Sequence, residues 1–258
     1  MAYSIVGLRV NRSILKVHEL YKAFGGVVAT DIDVFEAAEG ETHALIGPNG
    51  AGKTTFISQL SGELIPDSGS IRFDGEDITL LAPYTRSRRG LARSFQITSV
   101  FLDLNVLDNV CLAVQSHQGH CFRFFANART DRVVRARALT ALEQMGLAAR
   151  AHDLAGELSH GERRQLDLAM ALATGPRMLL LDEPMAGLGS EESIAMLDVL
   201  RTLKRDKSIV LVEHDMDTVF AIADRISVLV NGRIIATGEP DAIRSNERVE
   251  RAYLGERD

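Results

Sequence analysis

The most informative segment of this 258-residue chain is Gly47-Pro48-Asn49-Gly50-Ala51-Gly52-Lys53-Thr54, which fits the pattern G-x-x-x-x-G-K-[ST]. Glycines let backbone N–H groups converge on a phosphate without interference from Cβ atoms, and a helix that follows adds the positive end of its dipole. Lys53 can reach the β- and γ-phosphates of a nucleotide, and the Thr54 hydroxyl can ligate Mg²⁺. The segment therefore predicts a phosphate-binding loop, or P-loop. A glycine-rich turn without a ligand is the alternative.

The sequence on both sides of this segment favours the phosphate-binding interpretation. A short apolar strand is predicted over residues 43–46, and a helix is predicted over residues 54–60, closed by Gly62. Further strands are predicted at 14–20, 32–35, 70–73, 178–181 and 209–212, and further helices at 161–173, 191–204 and 216–223. This alternation indicates an α/β fold with a largely parallel central sheet.

Two regions depart from the alternation. Strand signals stop between about residues 97 and 158, which predicts a helical insertion in the α/β core. The apolar residues with helical spacing there are Val134, Leu139, Leu142 and Met145, with Gly146 in a stop position. Near the C-terminus, Asn231-Gly232 separates apolar strands at 226–230 and 233–236. It predicts a hairpin, because both central residues of this turn need a positive φ.

The composition is that of an ordinary globular protein, with 46% hydrophobic and 25% charged residues. The 29 basic and 35 acidic residues give a net charge of −6, which argues against nucleic acid as the partner. No apolar run has the length of a membrane helix and no signal peptide is visible, so we expect a cytosolic, non-spanning chain. Cys111 and Cys121 are too few for a disulfide framework. With His117 and His120 they match no zinc pattern, which favours free cysteines.

Two carboxylates follow the predicted strand at 178–181. Asp182 and Glu183 end the run Leu179-Leu180-Leu181-Asp182-Glu183-Pro184, which by itself is a strand terminus with a polar cap. Parallel strands deliver ligand contacts at their carboxyl ends, so beside a P-loop Asp182 can meet the Mg²⁺ shell. Neighbouring residues on a strand point to opposite sides. Glu183 is therefore expected to act separately, as a general base that polarises the attacking water.

Polar side chains begin two of the predicted helices. Ser159 and Glu162 are three residues apart and predict a capping box, while an exposed helix start with Ser and Gly is also a possible anion site. In the helix at 191–204, Glu191 and Glu192 are favourably placed near the positive end of the helix dipole. The core residues predicted in that helix are Ile194, Leu197 and Leu200.

Five motifs occur in a fixed order along nearly the whole chain. They are the P-loop, Gln96 in Ser94-Phe95-Gln96, Leu158-Ser159-His160-Gly161-Glu162, Leu180-Leu181-Asp182-Glu183-Pro184, and His214 in Val212-Glu213-His214-Asp215. This ordered set is far more specific than any one member, and it resembles the ABC-type ATPases. The resemblance implies a P-loop NTPase core with a mainly parallel sheet, an N-terminal antiparallel β subdomain and an inserted helical subdomain.

The same resemblance implies a head-to-tail dimer in which each ATP lies between the P-loop of one cassette and the Ser159/Gly161 motif of its partner. The implied nucleotide-binding residues are Phe24, Gly47, Asn49, Gly50, Ala51, Gly52, Lys53, Thr54, Thr55, Ser159, Gly161 and Glu162. Phe24 would stack on adenine, with Tyr21 as the fallback. The implied catalytic residues are Glu183, His214 and Gln96, and the implied Mg²⁺ ligands are Thr54, Gln96 and Asp182.

Four further segments narrow the resemblance to the ATP-binding subunits of branched-chain amino-acid uptake transporters. They are Ala44–Gly47, Ala92–Gln96, Pro184–Leu188 and Ala252–Glu256. The urea importers' ATPase is a close sibling, and His160 departs from the commoner Gly as it does in some of these siblings. The sequence also leaves open a lipopolysaccharide-exporter ATPase and a non-transport ABC ATPase.

The resemblance further implies an organisation and a set of partners. One ABC ATPase domain over 1–258 divides into residues 1–96, a helical subdomain at 97–160, the rest of the core at 161–240, and a tail at 241–258. The implied partners are two membrane permease subunits, a second ABC ATPase subunit and, indirectly, a solute-binding protein, with the chain peripheral on the inner face of the membrane. The aromatic residues Phe122, Phe124 and Phe125 are either local core or a docking face for the membrane partner.

Overall fold

The computed structural model of the protein describes residues 12–94, 100–118 and 131–254. The strands are Ser13–Phe24 (β1), Val27–Ala38 (β2), Thr42–Ile46 (β3), Ser68–Phe73 (β4), Glu76–Asp77 (β5), Leu91–Arg93 (β6), Met178–Asp182 (β7), Ser208–Val212 (β8), Arg225–Val230 (β9) and Arg233–Gly238 (β10). The helices are Lys53–Ser61 (α1), Pro83–Arg88 (α2), Val106–Gln118 (α3), Arg132–Gln144 (α4), His160–Ala173 (α5), Ser190–Leu203 (α6), Met216–Ile222 (α7), Pro240–Arg244 (α8) and Glu247–Leu254 (α9).

The central sheet has the strand order β10-β9-β3-β8-β7-β6. All neighbours are parallel except β10, which runs antiparallel to β9. Strands β3, β7 and β8 are buried along their whole length, as parallel strands covered on both faces are. Their carboxyl ends share one edge of the sheet. The residues that follow β3, β7 and β8 therefore come together there.

The smaller sheet is antiparallel, with the order β2-β1-β4-β5. One core cluster joins its inner face to α1 and to the central sheet. Members of this cluster include Leu15, Val17 and Phe35 of the small sheet, Phe56 and Leu60 of α1, and Leu45 and Leu180 of the central sheet. The first helix is thus held between two sheets, which fixes the loop that precedes it.

Helices α3 and α4 lie in sequence between β6 and α5 and pack against each other and against α5. The predicted helical insertion is therefore confirmed, and Gly146 follows α4 with a φ of 72°, as the stop signal required. The boundary drawn at residue 160, between the helical subdomain and the rest of the core, stays a prediction. Among the described residues, no helix has the length and apolar composition of a membrane span.

The predicted hairpin is confirmed, since Asn231 and Gly232 have φ values of 48° and 79°. The first two strands extend well beyond their predicted limits, and α2, β6, α8 and α9 had no sequence-based prediction. The prediction that Ile194 lies in the core is wrong, because its side chain is 64% exposed. The buried face of α6 carries Met196, Val199, Leu200 and Leu203. Ile194 precedes the first of these by two positions and so points the other way.

Candidate nucleotide-binding site

The predicted P-loop connects β3 to α1 and passes between β2 and β9. A Cβ atom on Gly52, whose φ is 102°, would lie 2.1 Å from the carbonyl oxygen of Ala29, and one on Gly47 would lie 2.0 Å from that of Leu229. Only glycine fits such close backbone approaches. The Gly232 N–H of the β9–β10 turn donates to the Ala51 carbonyl at 2.9 Å and holds the loop from one side.

The start of α1 is positively polarised. Its N-cap is Gly52, which provides no side-chain cap, and the first turn contains no acidic residue. The Lys53 ammonium donates to the carbonyls of Gly47 and Pro48, at 2.6 and 2.9 Å, so its charge lies inside the curve of the loop. Thr54 is exposed at the same end of the helix, where its hydroxyl can meet a ligand. This arrangement suits a phosphate group.

Asp182 ends β7 with a fully buried side chain. Its Oδ2 accepts a hydrogen bond from the Arg93 guanidinium at 3.0 Å, whereas its buried Oδ1 accepts none from the described residues. Burial raises the pKa of Asp182 above its ordinary value, and the neighbouring Arg93 opposes that rise. A buried carboxylate oxygen without a donor is suited to a hard cation such as Mg²⁺.

Mg²⁺ would need other ligands besides Asp182. Within the described ranges, no cluster of three or more His, Cys, Asp or Glu side chains could hold a metal. Beside nucleotides, Mg²⁺ is usually bound through one or two protein oxygens together with phosphate oxygens and waters. The Thr54 hydroxyl and Asp182 are the described candidates. Gln96, the third predicted ligand, lies outside the described residues.

Glu183 and His214 lie together beyond the ends of β7 and β8. Glu183 Oε1 is 3.9 Å from His214 Nδ1. Strand alternation is not what separates Glu183 from Asp182, so that part of the prediction is wrong. The strand ends at Asp182, and Glu183 has a left-handed φ of 48°, which turns the chain. Its N–H donates to Val212 O at 2.9 Å, and its carbonyl accepts from Arg164 Nη1 at 2.7 Å.

Sequence reasoning missed two charged residues behind this edge. Arg93 of β6 is the partner of Asp182, and its charge inside a short apolar strand was the one available signal. Glu213 is fully buried and accepts hydrogen bonds from the backbone N–H groups of Met185 and His214, at 2.9 and 3.2 Å. Burial raises the pKa of Glu213, against the lowering effect of these backbone bonds.

Ser159, Gly161 and Glu162 form a separate group at the start of α5. The predicted capping box is confirmed: the Glu162 N–H donates to Ser159 Oγ at 3.1 Å and the Ser159 N–H donates to Glu162 Oε2 at 2.8 Å. The Ser159 hydroxyl and the Gly161 N–H both donate to Glu192 Oε1 of α6. These bonds, in the part of the chain that the structure describes, reach α6 and not the P-loop.

Phe24 lies at the end of β1 with a 54% exposed side chain, and Lys22 Nζ is 5.7 Å from the centre of its ring. An exposed aromatic ring is available for stacking on a base, whereas Tyr21, the fallback, is half-buried in the small sheet. The aromatic residues at 122–125, with His120 and Cys121, lie outside the described residues. Cys111 is buried in the helical core, and burial raises the pKa of its thiol.

Known proteins match the chain over nearly its whole length. The ABC transporter family model matches residues 31–186, and a model described as branched-chain amino acid ATP-binding cassette transporter matches residues 233–258. The high-affinity branched-chain amino acid transport ATP-binding protein BraF of Pseudomonas aeruginosa is 36% identical over 254 residues, covering 96% of this chain and 100% of that protein. The lipopolysaccharide export system ATP-binding protein LptB of Escherichia coli is 34% identical, covering 94% and 97%.

A solved structure shares the fold. The crystal structure of the ADP conformation of MJ1267, an ATP-binding cassette of an ABC transporter, superposes with a TM-score of 0.82 at 28% identity, covering 95% of this chain and 99% of that one. The predicted fold and the resemblance to the branched-chain amino-acid group are thereby confirmed. The chain belongs to the ABC transporter family, in which it is a nucleotide-binding ATPase subunit of a transporter complex.

Proposed function

We propose that the P-loop, Asp182 and Glu183 form one half of an ATP-hydrolysing site. The observation that carries this proposal is the buried Asp182 Oδ1, which accepts no hydrogen bond from described residues, at the sheet edge near the Lys53 charge. The loop and Lys53 suit the phosphates of ATP. Thr54 and Asp182, with Gln96, would hold Mg²⁺, which supplies charge neutralisation to the phosphates when bound.

Glu183 is the proposed general base. As the oxygen of a water molecule bonds to the γ-phosphorus, the Glu183 carboxylate takes its proton, and the bond from the γ-phosphorus to the bridging oxygen breaks to leave ADP and phosphate. His214 is the proposed contact to the γ-phosphate, and its proximity to Glu183, the proposed base, supports this role. Phe24 is the proposed platform for adenine.

Ser159, Gly161 and Glu162 complete the site from a second subunit. Their described hydrogen bonds reach Glu192 of α6 and not the P-loop, which supports this assignment, because each chain then offers two different halves. A second copy of the chain or a related ATPase would supply the other protomer. Closure of the two halves around ATP is the movement that the membrane subunits would follow.

The transported solute of the proposed complex is a branched-chain amino acid. Support comes from the 233–258 family match and from the name of BraF. The complex would contain two permease subunits that hold this chain at the inner face of the membrane, with a solute-binding protein that delivers substrate. Lipopolysaccharide export is the second candidate, supported by the similarity to LptB.

Two variants test the site. Glu183→Gln should retain equilibrium ATP binding and lose hydrolysis by roughly 10²- to 10⁴-fold, because the base is absent while Asp182 remains. Lys53→Ala should weaken ATP binding in the same titration. Asp206→Asn, the control, removes an exposed carboxylate beyond the end of α6 and should change neither. Normal hydrolysis by Glu183→Gln, or unchanged affinity in Lys53→Ala, would contradict the proposal.

Transport is tested by co-purification from the native membrane, followed by uptake into proteoliposomes. We expect permease subunits in the purified complex and ATP-dependent accumulation of leucine, isoleucine or valine. Uptake of urea alone would indicate that the chain is the ATPase of a urea importer. Co-purification with lipopolysaccharide-export components would favour the second candidate.

A further inference from the structure

The carboxylate of Glu192 joins the beginnings of α5 and α6. Its Oε1 accepts a hydrogen bond from Ser159 Oγ at 3.1 Å and another from the Gly161 N–H at 3.2 Å, while its Oε2 accepts from the Gly189 N–H at 3.2 Å. The bonds from Gly189, Ser159 and Gly161, in that order, hold the pKa of Glu192 below its ordinary value. Glu192 is therefore an anion at neutral pH.

Two of these three donors have a second assignment. The Ser159 hydroxyl and the Gly161 N–H belong to the motif proposed above to complete the partner's ATP site, where they would donate to the terminal phosphate. A hydroxyl hydrogen and an amide hydrogen are each directed at one acceptor at a time, and a carboxylate beside a phosphate adds like-charge repulsion. The carboxylate and the phosphate therefore compete for the same donors.

The fit of Glu192 at this place depends on Gly161. A Cβ atom at position 161 would lie 2.8 Å from both Cδ and Oε1 of Glu192, so any other residue would push the carboxylate away. The contact borders a cleft of about 240 Å³, which gives the side chain somewhere to go. The residues that line this cleft are Ser159, Gly161, Glu162, Gln165, Glu191, Glu192, Ala195 and Met196.

Capping of α6 does not explain the whole contact. The Gly189 N–H lies at the N-cap of α6 and is satisfied by Oε2 alone. The Oε1 atom reaches across to a different helix and takes two donors there. This second set of bonds links the start of α5 to the start of α6, and it disappears if Ser159 and Gly161 turn to another anion.

We propose that Glu192 is an internal substitute for the terminal phosphate, which occupies the phosphate-binding donors of Ser159 and Gly161 until ATP on the partner subunit displaces it. The inference rests on the proposed function, because it needs Ser159 and Gly161 to be the partner's phosphate ligands. Glu192 is then a positioning residue. It keeps the donors oriented while the subunits are apart and raises the ATP concentration that is needed to close them.

The test is the ATP dependence of hydrolysis by the complete transporter complex, purified with its permeases and second ATPase subunit. Glu192→Gln removes the charge and keeps the shape, and it should lower the KM for MgATP roughly fivefold with kcat changed less than about twofold. Glu192→Ala should lower KM further. Damage to the fold would instead raise KM or reduce kcat, so the direction of the change separates the two explanations.

Asp206→Asn is the control, because it removes an exposed carboxylate beyond the opposite end of α6, away from the cleft. Its KM should equal that of the unmodified complex. An unchanged or higher KM in both Glu192 variants overturns the inference, as does an equal decrease in Asp206→Asn, which would indicate a general effect of charge. If Glu192→Ala does not fold, Glu192→Gln decides alone.

Two measurements distinguish failure of this inference from failure of the proposed function. The isolated full chain carrying Glu192→Gln should bind ATP with unchanged affinity, because Glu192 faces the partner's nucleotide and not its own. Ser159→Ala should impair hydrolysis by the complex. If Ser159→Ala has no effect, the proposed role of this motif fails; if it has its effect while the Glu192 variants do not lower KM, only the inference fails.

Discussion

Arg93 ties the phosphate-binding helix to the end of β7. Its guanidinium donates to Asp182 Oδ2 at 3.0 Å, to Glu63 Oε2 at 2.5 Å and to Ser58 Oγ at 3.1 Å, and its side chain is only 7% exposed. A charge so placed balances the buried Asp182 carboxylate. Burial raises the pKa of Asp182, and the Arg93 charge opposes that rise.

Arg93→Leu should therefore lower the free energy of unfolding by about 3–5 kcal/mol, because it leaves a buried carboxylate without its partner. Denaturant titration of the full chain measures this. Arg201→Leu is the control, since it breaks an exposed pair with Asp198 and should cost at most about 0.5 kcal/mol. Equal losses in the two variants would show that the Arg93 pair has no special role in stability.

Glu213 gives the protein a pH dependence of known sign. Burial raises its pKa above the ordinary value of 4.5, so the folded state binds this proton more tightly than the unfolded state. Ionisation of Glu213 therefore destabilises the folded state. This effect is absent below pH 4.5 and develops as the pH rises from there through the pKa of Glu213 in the folded state. The unfolding free energy of the unmodified chain should therefore fall across this range, relative to that of Glu213→Gln.

Denaturant titrations of both proteins at a series of pH values from about 4 to about 8 measure this difference. Hydrogen bonds lost in Glu213→Gln change its free energy of unfolding by an amount that does not vary with pH. The test is therefore the slope of the free-energy difference against pH. Asp182 contributes the same slope to both proteins and cancels. A constant difference across the series would mean that Glu213 has no raised pKa.

At the scale of residues, sequence motifs predicted the groups that we propose to face the nucleotide, and they missed the charged residues behind those groups. Asp182, Glu183 and the P-loop could be predicted because they stand in short contiguous motifs. Arg93 and Asp182 are 89 positions apart, and Ser159 and Glu192 are 33 apart, so their contacts arise only when separate elements pack. Gln96 lies outside the described residues, and its place beside Asp182 and the P-loop remains a prediction.

Among the elements, the P-loop depends most strictly on its backbone. Gly52→Ala should lower the free energy of unfolding by about 2–4 kcal/mol, since it combines a strained φ with a Cβ atom 2.1 Å from Ala29 O. Gly75→Ala is the control: its φ is 84°, but a Cβ atom there meets nothing within 4 Å, so only the strain of about 1 kcal/mol applies. Chemical denaturation measures both, and similar losses would argue against the close approach to β2.

Elements with a strong local signal were predictable, and those fixed by distant contacts were not. The Asn231-Gly232 turn and the buried strands β3, β7 and β8 follow from residues near in sequence. Strand β6 has three residues and exists because it pairs with β7. The apolar spacing in α6 is compatible with more than one buried face. Met196 and Val199 pack into the helical core, and the face that they define leaves Ile194 exposed.

At the scale of the whole molecule, the predicted site residues fall into two groups. The P-loop, Asp182, Glu183 and His214 gather at the carboxyl edge of the central sheet. Ser159 and Gly161 lie where α5 meets α6 and are bonded there to Glu192. A single chain thus presents the proposed nucleotide cradle and, elsewhere, the proposed phosphate donors, which is the arrangement that a head-to-tail pair needs in order to form two equivalent sites.

This division predicts that Ser159→Ala acts only in the assembled transporter. ATP hydrolysis by the complex should fall by about tenfold or more, because the variant lacks the hydroxyl that we propose donates to the partner's γ-phosphate. The ATP affinity of the isolated full chain, measured by equilibrium titration, should not change. Ser116→Ala is the control, an exposed serine on α3 whose hydroxyl bonds the Ala113 carbonyl, and it should leave both measurements unchanged. A fall in the affinity of the isolated chain would place Ser159 in its own nucleotide site and contradict the two-subunit arrangement.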